Sequence, residues 1–307
     1  MTVNQAQENE ITTRIEDLKR RRNAIILAHN YQPPEIQEIA DFTGDSLELS
    51  REAAKTNASV IVFCGVSFMA ETAAVLNPDK IVILPRKDAG CPMADMITPD
   101  DMEKIRTEYP GVPIVTYVNT TAAVKAKSTI CCTSANAIKI VSSLDTDTVY
   151  MAPDRNLALY TARHVKQKVL FWHGYCPIHH SLTAEDVMKA RVEHPGALFI
   201  AHPECRPEVI DLADGVFSTS GMLKFVSESP SEEFIIGTEM GIIYSMKKRN
   251  PSKRFYPASP KLLCPDMKKI SLEDVVKSLE TLEPRTVIPE EIRVDALRAI
   301  ERMLNVY

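Results

Sequence analysis

Three cysteines in the 307-residue chain are each followed by proline: Cys91-Pro92, Cys176-Pro177 and Cys264-Pro265. The step from Cys91 to Cys176 is 85 residues, and from Cys176 to Cys264 it is 88. Thiolates suit iron–sulfur clusters or zinc rather than magnesium or calcium. A structural zinc site is normally closed by four ligands. A cubane [4Fe–4S] cluster on three cysteines leaves one iron open to substrate. Iron–sulfur is therefore favoured, with zinc and no metal as the alternatives. Four further cysteines, Cys64, Cys131, Cys132 and Cys205, lack this spacing. Cys64 ends an apolar run, and adjacent Cys131 and Cys132 do not point to one metal. Cys205 follows His202-Pro-Glu and keeps a functional alternative beside packing. The odd count and the absence of any CxxC argue against a disulfide framework and a zinc ribbon.

A second set of residues could move protons and orient anions. Predicted strand ends carry His29, Asn30 and Tyr31, then Tyr117 and Asn119, then His202 and Glu204. Small turns add Ser46, Ser134 and Thr219. The set is rich in neutral donors, poor in arginine, and holds one carboxylate beside histidine and tyrosine. That suits a polyfunctional acid handled by proton transfers. His179 and His180, just after Cys176, read as structural groups or as partners of a ligand. Asp154, Arg155 and Glu239 follow predicted strands and read as structural ion pairs.

The positioning elements repeat with the cysteines. Seven residues after each comes a hydroxyl: Thr98, Thr183 and Ser271. Each opens a helix start, Thr98-Pro-Asp-Asp, Thr183-Ala-Glu-Asp and Ser271-Leu-Glu-Asp, with carboxylates in the first turn. Tyr109-Pro-Gly and His194-Pro-Gly stop the first two helices. Each module reads as strand–helix–strand–helix–strand–Cys-Pro–helix. That order predicts an α/β fold of three homologous parallel-sheet modules around a pseudo-threefold axis, with a central active site. The boundaries are 1–97, 98–182 and 183–270. The C-terminal helices, 271–307, are expected to pack back on module one.

Bulk composition excludes several classes. A net charge of −5 gives no nucleic-acid footprint and no polybasic membrane signal. Apolar runs such as Val60 to Cys64 are too short to span a bilayer, and MTVNQAQENE is not a signal peptide. A cytoplasmic enzyme is the expected class.

The motifs LAHNYQ (from Leu27), GDSLELS (from Gly44), FCGVSFMAETA (from Phe63), YVNTTAAVKA (from Tyr117), CTSANA (from Cys132), HPEC (from His202) and STSGM (from Ser218) together resemble the quinolinate synthase family. The resemblance runs from Leu27 to Met267. It implies condensation of iminosuccinate with dihydroxyacetone phosphate, releasing phosphate and water, to give quinolinate in de novo NAD biosynthesis. It implies a [4Fe–4S] cluster on Cys91, Cys176 and Cys264, with the open iron as Lewis acid. Substrate-binding positions carry over to His29, Ser46, Tyr117, Asn119, Ser134, His202, Glu204 and Thr219. Tyr31, Tyr117, His202 and Glu204 are the expected catalytic set, with Glu204 as a base tuned by burial and by His202. Longer members carry a CxxCxxC stretch near the last ligand. Here Lys261-Leu-Leu-Cys264 has one cysteine, which resembles the compact branch. The competing readings are another [4Fe–4S] dehydratase or reductive dehydratase of a small acid or diphosphate, a cluster-based sensor or carrier, and a zinc-bound structural protein. Physical coupling to aspartate oxidase, the expected source of iminosuccinate, is left open by the sequence.

Overall fold

The computed structural model describes residues 3–306. Among them are three four-stranded sheets. The first holds β1 (Ala24–His29), β2 (Phe42–Gly44), β3 (Val60–Cys64) and β4 (Ile81–Ile83). The second holds β5 (Ile114–Tyr117), β6 (Ile130–Cys132), β7 (Thr148–Ala152) and β8 (Lys168–Phe171). The third holds β9 (Leu198–Ala201), β10 (Gly215–Val216), β11 (Glu233–Gly237) and β12 (Arg254–Pro257). The strand orders are β2-β1-β3-β4, β6-β5-β7-β8 and β10-β9-β11-β12, and every pairing is parallel. Three copies of one α/β module are thus present, as the repeat predicts.

Parallel strands covered by helices on both faces should be apolar throughout. All five residues of β3 are buried, as are the four of β5. The sheets have one strand more than the sequence reading gave them. The additions are β2, β6 and β10, edge strands of two or three residues just before the hydroxyl-bearing turns. Such short strands leave no periodicity to read.

The repeated helix starts form as predicted. Thr98, Thr183 and Ser271 each accept the N–H three residues on, from Asp101, Asp186 and Asp274, whose carboxylates accept the cap N–H in return. Each capping box satisfies two N–H groups that the helix cannot. Thr183→Ala should therefore cost about 1 kcal/mol. A lowered denaturation midpoint in urea, with unchanged slope, checks this.

The chain forms two compact units. One runs to Cys91 and includes Pro265–Glu290; the other is Pro92–Cys264 with the chain from Glu291. In the first, the helix Leu272–Thr281 lies along the helix Val3–Arg22, and Arg22 donates to the carbonyls of Leu279 and Glu280. The last helix, Glu290–Leu304, departs from the expected return to module one. From residue 291 it belongs to the second unit, where Arg302 donates to the carbonyl of Thr129 at 2.7 Å. Its buried stripe, Ala296, Ala299, Ile300 and Met303, is what commits it to a packing surface.

Candidate active site

In open parallel sheets, ligands sit beyond the carboxyl ends of strands where the strand order reverses. In the second unit those points lie between β5 and β7 and between β9 and β11. The residues there are Tyr117 at the end of β5 and Asn119 after it, Asp154 after β7, His202 and Glu204 after β9, and Thr238 and Glu239 after β11.

Glu204 is the hub, 2% exposed. Its Oε2 is 2.6 Å from His179 Nδ1 and 3.4 Å from His202 Nδ1. The Tyr117 phenol lies beside the Glu204 carboxyl and Ser134. Oε1 has no hydrogen-bond partner among the described residues. A buried carboxyl oxygen without a partner marks a place that a ligand or proton fills. His179 and His202 stack with centroids 4.5 Å apart and planes at 23°. The backbone N–H of Glu204 points to His202 Nδ1 at 3.3 Å, and His202 Nε2 lies 3.2 Å from Ser134 Oγ. The structure therefore brings together Tyr117, Ser134, His202 and Glu204.

Burial pushes the Glu204 carboxyl up, but His179, His202 and the Tyr117 hydroxyl outweigh it and hold the group down at about 2. Glu204 is thus an ionised acceptor. The balance runs opposite to tuning by burial. Burial and the negative Glu204 push the Tyr117 phenol well above its ordinary value, so it is a donor. Asn119 Oδ1 is buried without a hydrogen-bond partner among the described residues. The loop carrying Asn119 is held by Lys125, fully buried, which donates to the carbonyl of Thr120. Thr219 is buried at the first turn of its helix, next to the cap Ser218. By strand register Thr219 lies at the position of Ser46 and Ser134: each is three residues past the partner of Ala28, Thr116 or Ala201.

The first unit repeats part of this design. His29 Nδ1 accepts the backbone N–H of Tyr31 at 3.1 Å, and the two rings meet edge-on at 4.5 Å. His29 and His202 thus share one device: an imidazole held by the amide two residues on. Ser46 opens the helix capped by Asp45. Asn30 is fully buried, with neither amide atom of its side chain hydrogen-bonded among the described residues.

The seven thiols fall into two classes. Cys91, Cys176 and Cys264 are half-buried; Cys64, Cys131, Cys132 and Cys205 are buried. Burial pushes Cys131 up to about 12, despite nearby Lys125, and raises Cys64, Cys132 and Cys205 as well. A neutral, enclosed thiol is neither nucleophile nor metal ligand. Cys205 donates to the Gly237 carbonyl inside the third module's core. In the metal-free protein, iodoacetamide should label Cys91, Cys176 and Cys264 and spare the other four, read by peptide mass spectrometry.

Sequence reasoning undervalued three groups. His179 reaches Cys176 Sγ at 3.2 Å through Nδ1 and Thr238 Oγ1 at 2.8 Å through Nε2, so it joins a thiol to Glu204. Cys176, His179 and Glu204 offer ligand atoms within 4.8 Å of one another, a group that could hold a metal ion. Asp154 and Glu239 each serve as acceptors for backbone amides. Asp154 accepts backbone N–H groups from Leu157 and Cys176, while neighbouring Arg155 bonds His180 at 3.0 Å. Burial and Glu204 push Asp154 up, against the backbone amides that favour its ionised form. Glu239 accepts N–H groups from Gly241 and Cys264.

The family described as "Quinolinate synthetase A protein" matches residues 13–305. The chain belongs to the quinolinate synthetase A family. Curated relatives named quinolinate synthase span nearly its whole length. The protein of Geotalea uraniireducens is 56% identical over 97% of this chain and 98% of its own. That of Geobacter metallireducens is 55% identical over 98% and 99%. Quinolinate synthase 1 of Methanosarcina acetivorans is 51% identical over 98% and 99%. Membership makes the chain an enzyme, which sets aside the sensor, carrier and structural readings. No helix among the described residues is long and apolar enough to cross a membrane.

Proposed function

We propose that this protein is a quinolinate synthase of NAD biosynthesis, condensing iminosuccinate with dihydroxyacetone phosphate and releasing phosphate and water. The observation that carries the reading is the buried Glu204 carboxylate, with one oxygen on His179 and the other without a partner, inside a family whose members bear that name.

The resident cofactor in this reading is a [4Fe–4S] cluster on Cys91, Cys176 and Cys264. The donor chemistry fits. These three thiols are half-buried, stand at equivalent repeat positions, and differ from four that burial keeps neutral. When bound, such a cluster supplies one Lewis-acidic iron with an open coordination position. Zinc on Cys176, His179 and Glu204 is the weaker reading, because both nitrogens of His179 already lie in hydrogen bonds.

The rest of the work falls to side chains. His29 and His202 each have Nδ1 held by a backbone amide, which fixes the orientation of each ring for binding substrate oxygens. Asn119, Ser46, Ser134 and Thr219 orient carboxylate and phosphate groups. Carbon–carbon bond formation and loss of water need protons taken from carbon and delivered to oxygen. Glu204 accepts, with His179 and His202 sharing its charge. Tyr117, kept protonated, donates, and Tyr31 is a second donor. Aspartate oxidation is the expected source of the unstable imine in this reading, which includes transient coupling to aspartate oxidase.

An anaerobic assay with both substrates, read by chromatography, should give quinolinate. Its absence, with turnover of another small acid or diphosphate, would move the protein to the dehydratase reading.

A further inference from the structure

One main-chain bond recurs in all three modules. The N–H of Ser67 donates to the Ala89 carbonyl at 2.9 Å, that of Arg155 to Gly174 at 2.9 Å, and that of Met240 to Leu262 at 2.8 Å. Each acceptor stands two residues before a Cys-Pro: Cys91, Cys176 and Cys264. Each donor follows the third strand of its sheet, β3, β7 or β11. The loop entering each cysteine is thereby tied to the end of a central strand. At Gly174 the approach is so close that a Cβ would lie 2.6 Å from the Pro153 carbonyl oxygen.

The residue before each donor is Val66, Asp154 or Glu239. In two of the three modules it carries a carboxyl group, and in both that group reaches the backbone of the cysteine. Asp154 Oδ2 accepts the Cys176 N–H at 3.0 Å; Glu239 Oε1 accepts the Cys264 N–H at 3.1 Å. The second oxygen is fixed too. Asp154 Oδ1 accepts from Leu157 at 2.8 Å and Glu239 Oε2 from Gly241 at 2.7 Å. Asp154 and Glu239 are 2% and 1% exposed. A buried acid beside a sulfur ligand is costly, and aliphatic Val66 stands at that place in the first module, so the fold alone does not require it. Two different acids, one methylene apart in length, make the same contact. That pattern belongs to the contact rather than to either side chain.

We propose that Asp154 and Glu239 are a matched pair of positioning residues that fix the main chain of Cys176 and Cys264 for an iron–sulfur cluster. This rests on the reading of those cysteines as cluster ligands. The strap has two effects. It sets where each Sγ can stand, because the cysteine backbone cannot rotate. It also occupies the cysteine N–H, which is then not available to donate to a sulfur. Hydrogen bonds to cluster sulfurs change the reduction potential, and N–H donors raise it by favouring the more negative, reduced state.

The test uses anaerobic holoenzyme: wild type, Asp154→Ala, Asp154→Asn, Glu239→Ala and Glu239→Gln. Cluster loss to an iron chelator and the cluster midpoint potential are measured, with melting temperature alongside. Each alanine variant should lose its cluster roughly tenfold faster, as expected for one lost charge-assisted hydrogen bond. Its midpoint potential should rise. The amide variants keep one oxygen acceptor and should fall between alanine and wild type. They carry the test if an alanine variant does not fold, since Asp154 also caps a helix. Lowered melting temperatures with unchanged chelation rates and potentials would mean a structural role only and overturn the proposal. A wild type that binds no cluster would defeat the ligand reading first, and the strap with it.

Discussion

Cys176→Ala is expected to leave a protein that folds but holds essentially no iron, with broad absorption near roughly 400 nm gone. Cys176 is half-buried at the start of the helix Pro177–Ser181, with its N–H taken by Asp154 and its sulfur 3.2 Å from His179. The fourth position of a cubane is already reserved for substrate in this account, so no spare ligand remains. Cys205 cannot substitute: it is buried and its thiol is engaged with Gly237. Quinolinate formation should fall below detection. The same result is expected for Cys91→Ala and Cys264→Ala, whereas Cys64→Ala should keep both iron and activity. Full iron content in Cys176→Ala would break the three-ligand assignment.

Glu204→Gln should do the reverse, keeping the cluster while losing turnover. Glutamine preserves the shape of the hub and one oxygen acceptor. It removes the negative charge that His179 and His202 compensate, and with it the ability to accept a proton. General acid–base groups contribute about 10²- to 10⁴-fold, so kcat should fall by that range with iron content unchanged. Because burial alone would raise this carboxyl and its partners instead hold it at about 2, the role of Glu204 depends on those partners. His179→Ala should therefore lower kcat as well. A near-normal rate in Glu204→Gln would take the residue out of proton transfer.

Local signals carried most of the architecture. The capping boxes at Thr98, Thr183 and Ser271 and the Pro-Gly stops can be read within a few residues, because helix ends must satisfy their own amides nearby. Tyr117, His202 and Glu204 could be placed from the repeat, since equivalent strand ends occupy equivalent sites. What escaped lies in contacts between distant segments. The bond from Asp154 to Cys176 crosses 22 residues and that from Glu239 to Cys264 crosses 25. Acids after a strand look the same in sequence whether they meet an arginine or an amide. His179 could be seen as a neighbour of Cys176, three residues away, but not as the partner of Glu204. The last helix was misplaced for a similar reason: an amphipathic stripe says that a surface will be covered, not which one.

The most direct measurement is iron and acid-labile sulfide quantified on anaerobically purified protein, with quinolinate formation assayed on the same sample. The account predicts about four irons and four sulfides per chain, and turnover that rises and falls with that content. Full turnover in protein free of iron and sulfide would contradict it.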